Sequence, residues 1–337
     1  MRKILIPMFV VATLYSCSNS DDDNFIDPNA KYLNGYFITN EGNFNKLNGA
    51  VSHISSDFNT ISNDIFQSAN GKSIGDVVQS MVVYGDYAFV IVNNSNTIEV
   101  VDKKTFQSVH TITEELSSPN YAVINNNKLY VTSLYDSTVN VYNAEDYSFI
   151  KKIELDFAAG GIVSLNNYVY TANGFYSGGM SVEIINTTTD TNTKDLVFDS
   201  KINGIEANGH SVYVLETSET SSKITKINGE NTLEQIDLPH ANARYLAADN
   251  SKLYYTAGTG IYQLSDVLTE TSSKLFDVAS NGDSFSILYG FEVFDGKIFT
   301  SDANGFTDKG SVTIYNEDGS KIKEFNVGVG PNGFFKF

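Results

Sequence analysis

Residues 117–155, SSPNYAVINNNKLYVTSLYDSTVNVYNAEDYSFIKKIEL, carry the unit on which the rest of the chain is built. Four short runs, 121–124, 129–133, 138–142 and 149–155, are rich in β-branched and aromatic residues. Asn, Asp and Ser bound each run, and these residues favour turns because their side chains bond to the nearby backbone. Helical periodicity is absent, so the segment reads as four strands.

The unit recurs. An aromatic sits in the second strand each time, at Phe37, Phe89, Tyr130, Tyr170, Tyr213, Tyr254 and Phe299. Successive differences are 52, 41, 40, 43, 41 and 45. Four strands repeating at roughly 40–45 residues mark a β-propeller, and seven anchors imply seven blades. Trp is absent, which removes the Trp-Asp repeat class. No strand precedes Phe37, while the last segment, GPNGFFKF (330–337), resembles the SPNYAVI that opens the third unit. The expected fold is therefore an all-β, seven-bladed propeller closed by its C-terminal strand, with Phe334 to Phe337 pairing beside Tyr36 to Thr39. Closure of this kind removes two free sheet edges.

The N-terminus reads differently. Arg2 and Lys3 precede an apolar run, 4–14, too short to span a bilayer as a helix. Leu14-Tyr15-Ser16-Cys17 follows, and Cys17 is the single Cys of the chain. This resembles a lipoprotein signal peptide (1–16) whose processing leaves Cys17 lipidated; Tyr15 is bulkier than usual at its place. Ser18 to Asp23, with three consecutive Asp, resembles the surface-export signal of Bacteroidota lipoproteins. Residues 17–32 are then a flexible acidic tether and 33–337 the propeller. The expected location is the cell surface, in the outer membrane, held through the lipid alone.

A formal charge of −18, or −20 once Arg2 and Lys3 are removed, opposes binding nucleic acid by phosphate neutralisation. With Cys17 used for lipid, no internal disulfide is available.

The segments 35–54 and 65–102 resemble the YncE-like propeller lipoproteins of Bacteroidota, which include surface cobalamin-binding (BtuG-like) propellers. The resemblance implies a capture protein that passes cobalamin, or another large nutrient, to a TonB-dependent outer-membrane transporter. In a propeller, the start of each inner strand and each loop between second and third strands reach one face. Ten residues before each anchor stand Gln79, Asn120, Gly160, Asn203, Arg244 and Tyr289, and the closing strand adds Asn332. These are expected to ring one mouth of the central channel, with Gly160 and Gly161 leaving room. The amides both donate and accept, and Arg244 adds a fixed fork of donors. Phe44, Tyr135, Phe175, Tyr176 and Phe306 lie in the loops of that face and suit the apolar plane of a corrinoid.

Catalytic signals are poor. His53, His110, His210 and His240 fall in different blades without metal-ligand spacing. No phosphate loop or nucleophile elbow occurs. Asp302 to Gly305 with Asp308 offers oxygens for Ca²⁺ but lacks the EF-hand pattern, and a Gly turn is the simpler reading. Asp136-Ser137-Thr138 resembles a Bacteroidota O-glycosylation sequon and is equally a turn. The ring of minus-ten positions holds no Asp or Glu, with Asp76 and Glu206 only nearby. The expectation is therefore a binding protein without catalytic residues, metal or cofactor. A lactonase-like, metal-dependent enzyme and a protein-binding or adhesive propeller are the alternatives.

Overall fold

The computed structural model describes residues 30–174, 178–269, 271–279 and 287–336. These form seven four-stranded antiparallel sheets, six of them consecutive in the chain. The remaining sheet is the closing blade. Its inner strand is the C-terminal Pro331–Lys336, paired with Gly35–Asn40, then Ala50–Ser55 and the short Ile61–Ser62. The register places Phe335 opposite Phe37 and Phe334 opposite Ile38. Opposite Tyr36 to Thr39 the pairing thus uses Gly333 to Lys336, Pro331 pairs with Asn40, and Phe337 lies outside the described residues. Each inner strand packs against the inner strand of the next blade, and the C-terminal strand packs against those of blades 7 and 2. The ring is closed by a single pairing of chain ends.

The unit at 117–155 forms Pro119–Asn125, Lys128–Ser133, Thr138–Asn143 and Phe149–Glu154. Its first hairpin turns at Asn126 and Asn127, with φ of 49° and 59°. Tight hairpins of twisted strands need positive φ at both central residues, and Asn tolerates it. All seven anchor aromatics are at most 2% exposed. They fill the space between sheets, where a planar ring contributes the largest buried area. Four of them carry a hydroxyl, and each reaches the next blade. Tyr130 donates to Asp190 Oδ1 (2.6 Å), Tyr170 to the Gly229 carbonyl (3.0 Å), Tyr213 to the Asp266 carbonyl (2.8 Å) and Tyr254 to Glu317 Oε1 (2.5 Å). Every acceptor lies at or beside the turn between the third and fourth strands of the following blade. The repeated aromatic is thus a repeated joint.

Two departures from the sequence reading concern blades 1 and 2. The first anchor spacing is long because a helix, Ile65–Asn70, follows the two-residue outer strand. Asp64 caps it, and Ile65 and Phe66 are fully buried with Phe37 and Phe106. Its apolar face is only two residues wide, so it carries no periodic signal. The other is at Tyr32, which the sequence reading leaves outside the propeller. Tyr32 is buried, its N–H bonds to the Lys104 carbonyl (3.0 Å), and its ring meets His53 and Phe106 edge-on. Cys17 and Asp21 to Asp23 lie outside the described residues. Among the described residues, no helix is long and apolar enough to cross a membrane.

Candidate functional site

Every inner strand breaks register where it leaves the mouth. The shift falls at Gln79, at Asn120 with Tyr121, at Gly160, at Asn203, at Tyr245, within 288–290, and at Asn332. A β-bulge leaves one residue unpaired and re-aims its side chain. Here it turns the minus-ten positions into the channel. The exception is blade 6. Arg244 stays in register opposite Thr256, and Tyr245 (φ 48°) takes the bulge. Arg244 therefore stands exposed on the rim, its guanidinium 5.1 Å from the Tyr245 ring centroid and donating to the Tyr245 hydroxyl (3.2 Å).

Two cavities follow the channel. The outer one, about 590 Å³, is lined by Gln79, Asn120, Tyr135, Gly160 and Tyr289 among the expected residues. Phe44 and Phe306 also line it, and Phe44 and Tyr135 are 67% and 65% exposed. The inner one, about 420 Å³, shares Gln79, Tyr121 and Gly160 and reaches Asn203 and Asn332. Arg244 lines neither, and Phe175 and Tyr176 lie outside the described residues.

The amides are not all offered to a ligand. Asn332 Nδ2 donates to the Gln79 carbonyl (2.9 Å), and its Oδ1 accepts from Thr39 Oγ1 (2.6 Å). Asn203 Nδ2 donates to the Ala243 carbonyl (3.1 Å), and Gln79 Nε2 to the Tyr121 hydroxyl (3.3 Å). With Tyr245 donating to the Tyr289 carbonyl (2.6 Å), all of these bonds but that of Thr39, which stays within the closing blade, tie neighbouring blades together. Even partly exposed amides at a strand end are thus engaged by the protein itself. Gly160 is likewise structural: a Cβ there would lie 2.3 Å from the Gly174 Cα. At Gly161 it would meet Ile205 at 2.9 Å. Both glycines line the inner cavity, but a side chain at either would strike neighbouring protein.

The larger correction is electrostatic. The mouth does contain a carboxylate, Glu41, in the loop after Gly35–Asn40. The Tyr289 hydroxyl lies 3.0 and 2.9 Å from its two oxygens, and Asn332 Nδ2 donates to Oε1 (3.1 Å). Withdrawal from water raises its pKa to about 7, against the pull of those two donors. Deeper in the channel, Glu206 and Glu292 line the inner cavity. Burial raises both, and the Glu292 charge further disfavours ionisation of Glu206. Glu41 lies four residues after its anchor. The same offset gives Asn93, Leu134 and Gly174, and all four line the outer cavity. That offset, which reaches the cavity in four of the seven blades, is a signal the sequence holds and the minus-ten reading passes over.

Among the described residues, no three His, Cys, Asp or Glu side chains group as a metal site. The His residues are dispersed: His53 packs on Phe37, His110 on Tyr147 and His240 on Tyr262. Asp302 accepts from the Asn304 N–H (2.7 Å) in a turn where Gly305 has φ 64°.

Similar folds occur in solved structures. A quinonprotein alcohol dehydrogenase-like protein from Bacteroides thetaiotaomicron aligns with a TM-score of 0.70 at 15% identity, covering 90% of this chain and 78% of that one. Hydrazine synthase from Kuenenia stuttgartiensis gives 0.56 at 14%, covering 69% and 74%. Apo AztD from Citrobacter koseri gives 0.56 at 11%, covering 90% and 97%. At these identities the likeness is one of fold. Comparison with curated proteins gave no match. Residues 34–333, from the start of the closing blade to its inner strand, match one family throughout, and the chain belongs to it: the domain of unknown function DUF5074.

Proposed function

We propose that this propeller captures a large, amide-bearing ligand at the channel mouth, with cobalamin the first candidate, and does so as a surface lipoprotein that passes it to a TonB-dependent transporter. The observation that carries the capture reading is the outer cavity. Phe44, Tyr135, Phe306 and Tyr289 stand around a floor of Gln79, Asn120 and Glu41. A cavity of about 590 Å³ takes one edge of a corrinoid, and the exposed Phe44 and Tyr135 are placed to cover its apolar face. Covering roughly 100 Å² of each ring contributes about 2–3 kcal/mol apiece. Amide hydrogen bonds add about 1 kcal/mol net each. The resemblance to YncE-like lipoproteins, the Cys17 signal and the acidic run support the surface location and the transporter partner.

The test is calorimetric titration of the soluble body, starting after residue 29, with cyanocobalamin, haem and a neutral oligosaccharide. Heat with cyanocobalamin at about 10 μM protein, reduced at least tenfold in affinity by Phe44→Ala with Tyr135→Ala, supports the reading. Absence of heat with cyanocobalamin removes this candidate. Binding to one of the others keeps capture and replaces the ligand.

Glu41 favours one second reading. A carboxylate with a pKa near 7 in a cavity suits a general base, so a lactonase-like hydrolase is the alternative. Lactone turnover, with and without added divalent metal, that is lost in Glu41→Gln would replace capture by catalysis.

A further inference from the structure

The Glu41 carboxylate takes hydrogen bonds from two side chains. Tyr289 of blade 7 and Asn332 of the closing strand supply its two donors, and both belong to the protein wall. An ionised carboxylate accepts at about four lone-pair positions, so acceptor capacity remains towards the cavity that Glu41 lines. Among the described residues, no Lys, Arg or His forms an ion pair with it. Arg244, the cation on the rim, is directed to the Tyr245 hydroxyl, which in turn donates to the Tyr289 carbonyl. The mouth thus contains an uncompensated acceptor beside the amides of Gln79 and Asn120.

Such a floor discriminates by chemistry. A ligand N–H meets the carboxylate as donor to acceptor, and a bond to a charged acceptor is among the strong ones. A ligand carboxylate at the same place sets acceptor against acceptor and charge against like charge, at low effective dielectric. We propose that Glu41 is the specificity-determining residue of the mouth: it accepts an N–H from the ligand, and so selects ligands presenting amide or ammonium nitrogen over ligands of the same shape presenting carboxylate. This rests on the capture reading and deepens it.

The surroundings predict how selection responds to pH. Tyr289, Tyr245 and Tyr121 face Glu41 from blades 7, 6 and 3, and burial raises all three phenols, so they stay neutral. Arg244 is directed to the Tyr245 hydroxyl. Glu206 and Glu292 lie deeper, on blades 5 and 7. Glu41 titrates about 7. Protonation turns part of it into a donor, so selection against carboxylate weakens as pH falls through that value.

The test compares cyanocobalamin with its monocarboxylic acid derivatives, isomers of one another in each of which one peripheral amide is hydrolysed to a carboxylate. Wild type and Glu41→Gln are titrated with each at pH 8 and pH 6. For wild type at pH 8, at least one isomer is expected to bind ten times more weakly than cyanocobalamin or worse. In Glu41→Gln, whose amide both donates and accepts, that ratio should fall below about three. In wild type the ratio should shrink at pH 6, a readout that requires no variant to fold. Equal binding of all forms by wild type, or a ratio unchanged in Glu41→Gln, overturns the role of Glu41 while leaving capture standing. If wild type binds none of these corrinoids, this assignment falls together with the cobalamin reading.

Discussion

Replacing Tyr130 with Phe tests whether the anchor hydroxyls hold the ring together. Tyr130 is fully buried in blade 3 and donates at 2.6 Å to Oδ1 of Asp190, in the turn of blade 4. Asp190 is 8% exposed, and its Oδ2 accepts from Lys128 Nζ at 2.6 Å. Tyr130→Phe keeps the ring and its packing and deletes one hydrogen bond to a charged acceptor, worth about 1.5–3 kcal/mol. Lys128 remains on Asp190, so the carboxylate is not orphaned, and a loss of about 2 kcal/mol is expected. With about 300 ordered residues the unfolding entropy is near 0.6 kcal/mol/K, so Tm should fall by about 3 °C. Urea denaturation gives the free energy, and Tyr87→Phe, at an exposed position (38%), serves as control with a change below about 0.5 kcal/mol. A double-mutant cycle with Asp190→Asn should return a coupling of about 1 kcal/mol or more. If Tyr130→Phe lies within about 0.5 kcal/mol of wild type, the hydroxyls are incidental and the blades are joined by apolar packing alone.

Stability should fall as pH rises from 6.5 to 8. Burial raises Glu292 to about 8 and raises Glu206 with it, so over this span the folded chain keeps protons that the unfolded chain has released. Glu292 alone should account for a loss on the order of 2 kcal/mol, so Glu292→Gln should make the profile shallower, with Glu41 and Glu206 still titrating in the same direction; a flat or rising wild-type Tm contradicts the assignment. Below pH 6.5 His53, whose pKa burial lowers, works in the opposite direction, so the comparison belongs above that value. Gly160→Ala should cost about 1–3 kcal/mol, because its Cβ would meet the Gly174 backbone at 2.3 Å; unchanged urea stability would show that blade 4 relaxes freely. Cys17→Ala should move the protein from the membrane to the soluble fraction. Replacing Asp21, Asp22 and Asp23 with Ala should leave it membrane-bound but protected from protease on intact cells, and unchanged cleavage would refute the export reading.

The blade count, the closure and the position of the mouth were legible from the sequence by itself. All three follow from a period, and a period survives in the chain because every blade solves the same packing problem with an aromatic in its second strand. The minus-ten rule found Gln79, Asn120, Gly160 and Asn203 because the bulge recurs at the same place in each inner strand. It missed where the bulge slipped by one, exchanging Arg244 for Tyr245, since a one-residue shift reverses which side chain faces the channel. Glu41 was visible only at a different offset, Glu206 stood out only as lying near the ring, and Glu292 carried no signal of its own. Their character comes from the ring itself. Residues more than two hundred positions apart, such as Glu41 and Tyr289, become neighbours only when the last strand closes on the first. Burial in a shared channel then decides which carboxylates keep their protons, and burial belongs to the closed structure rather than to any stretch of chain.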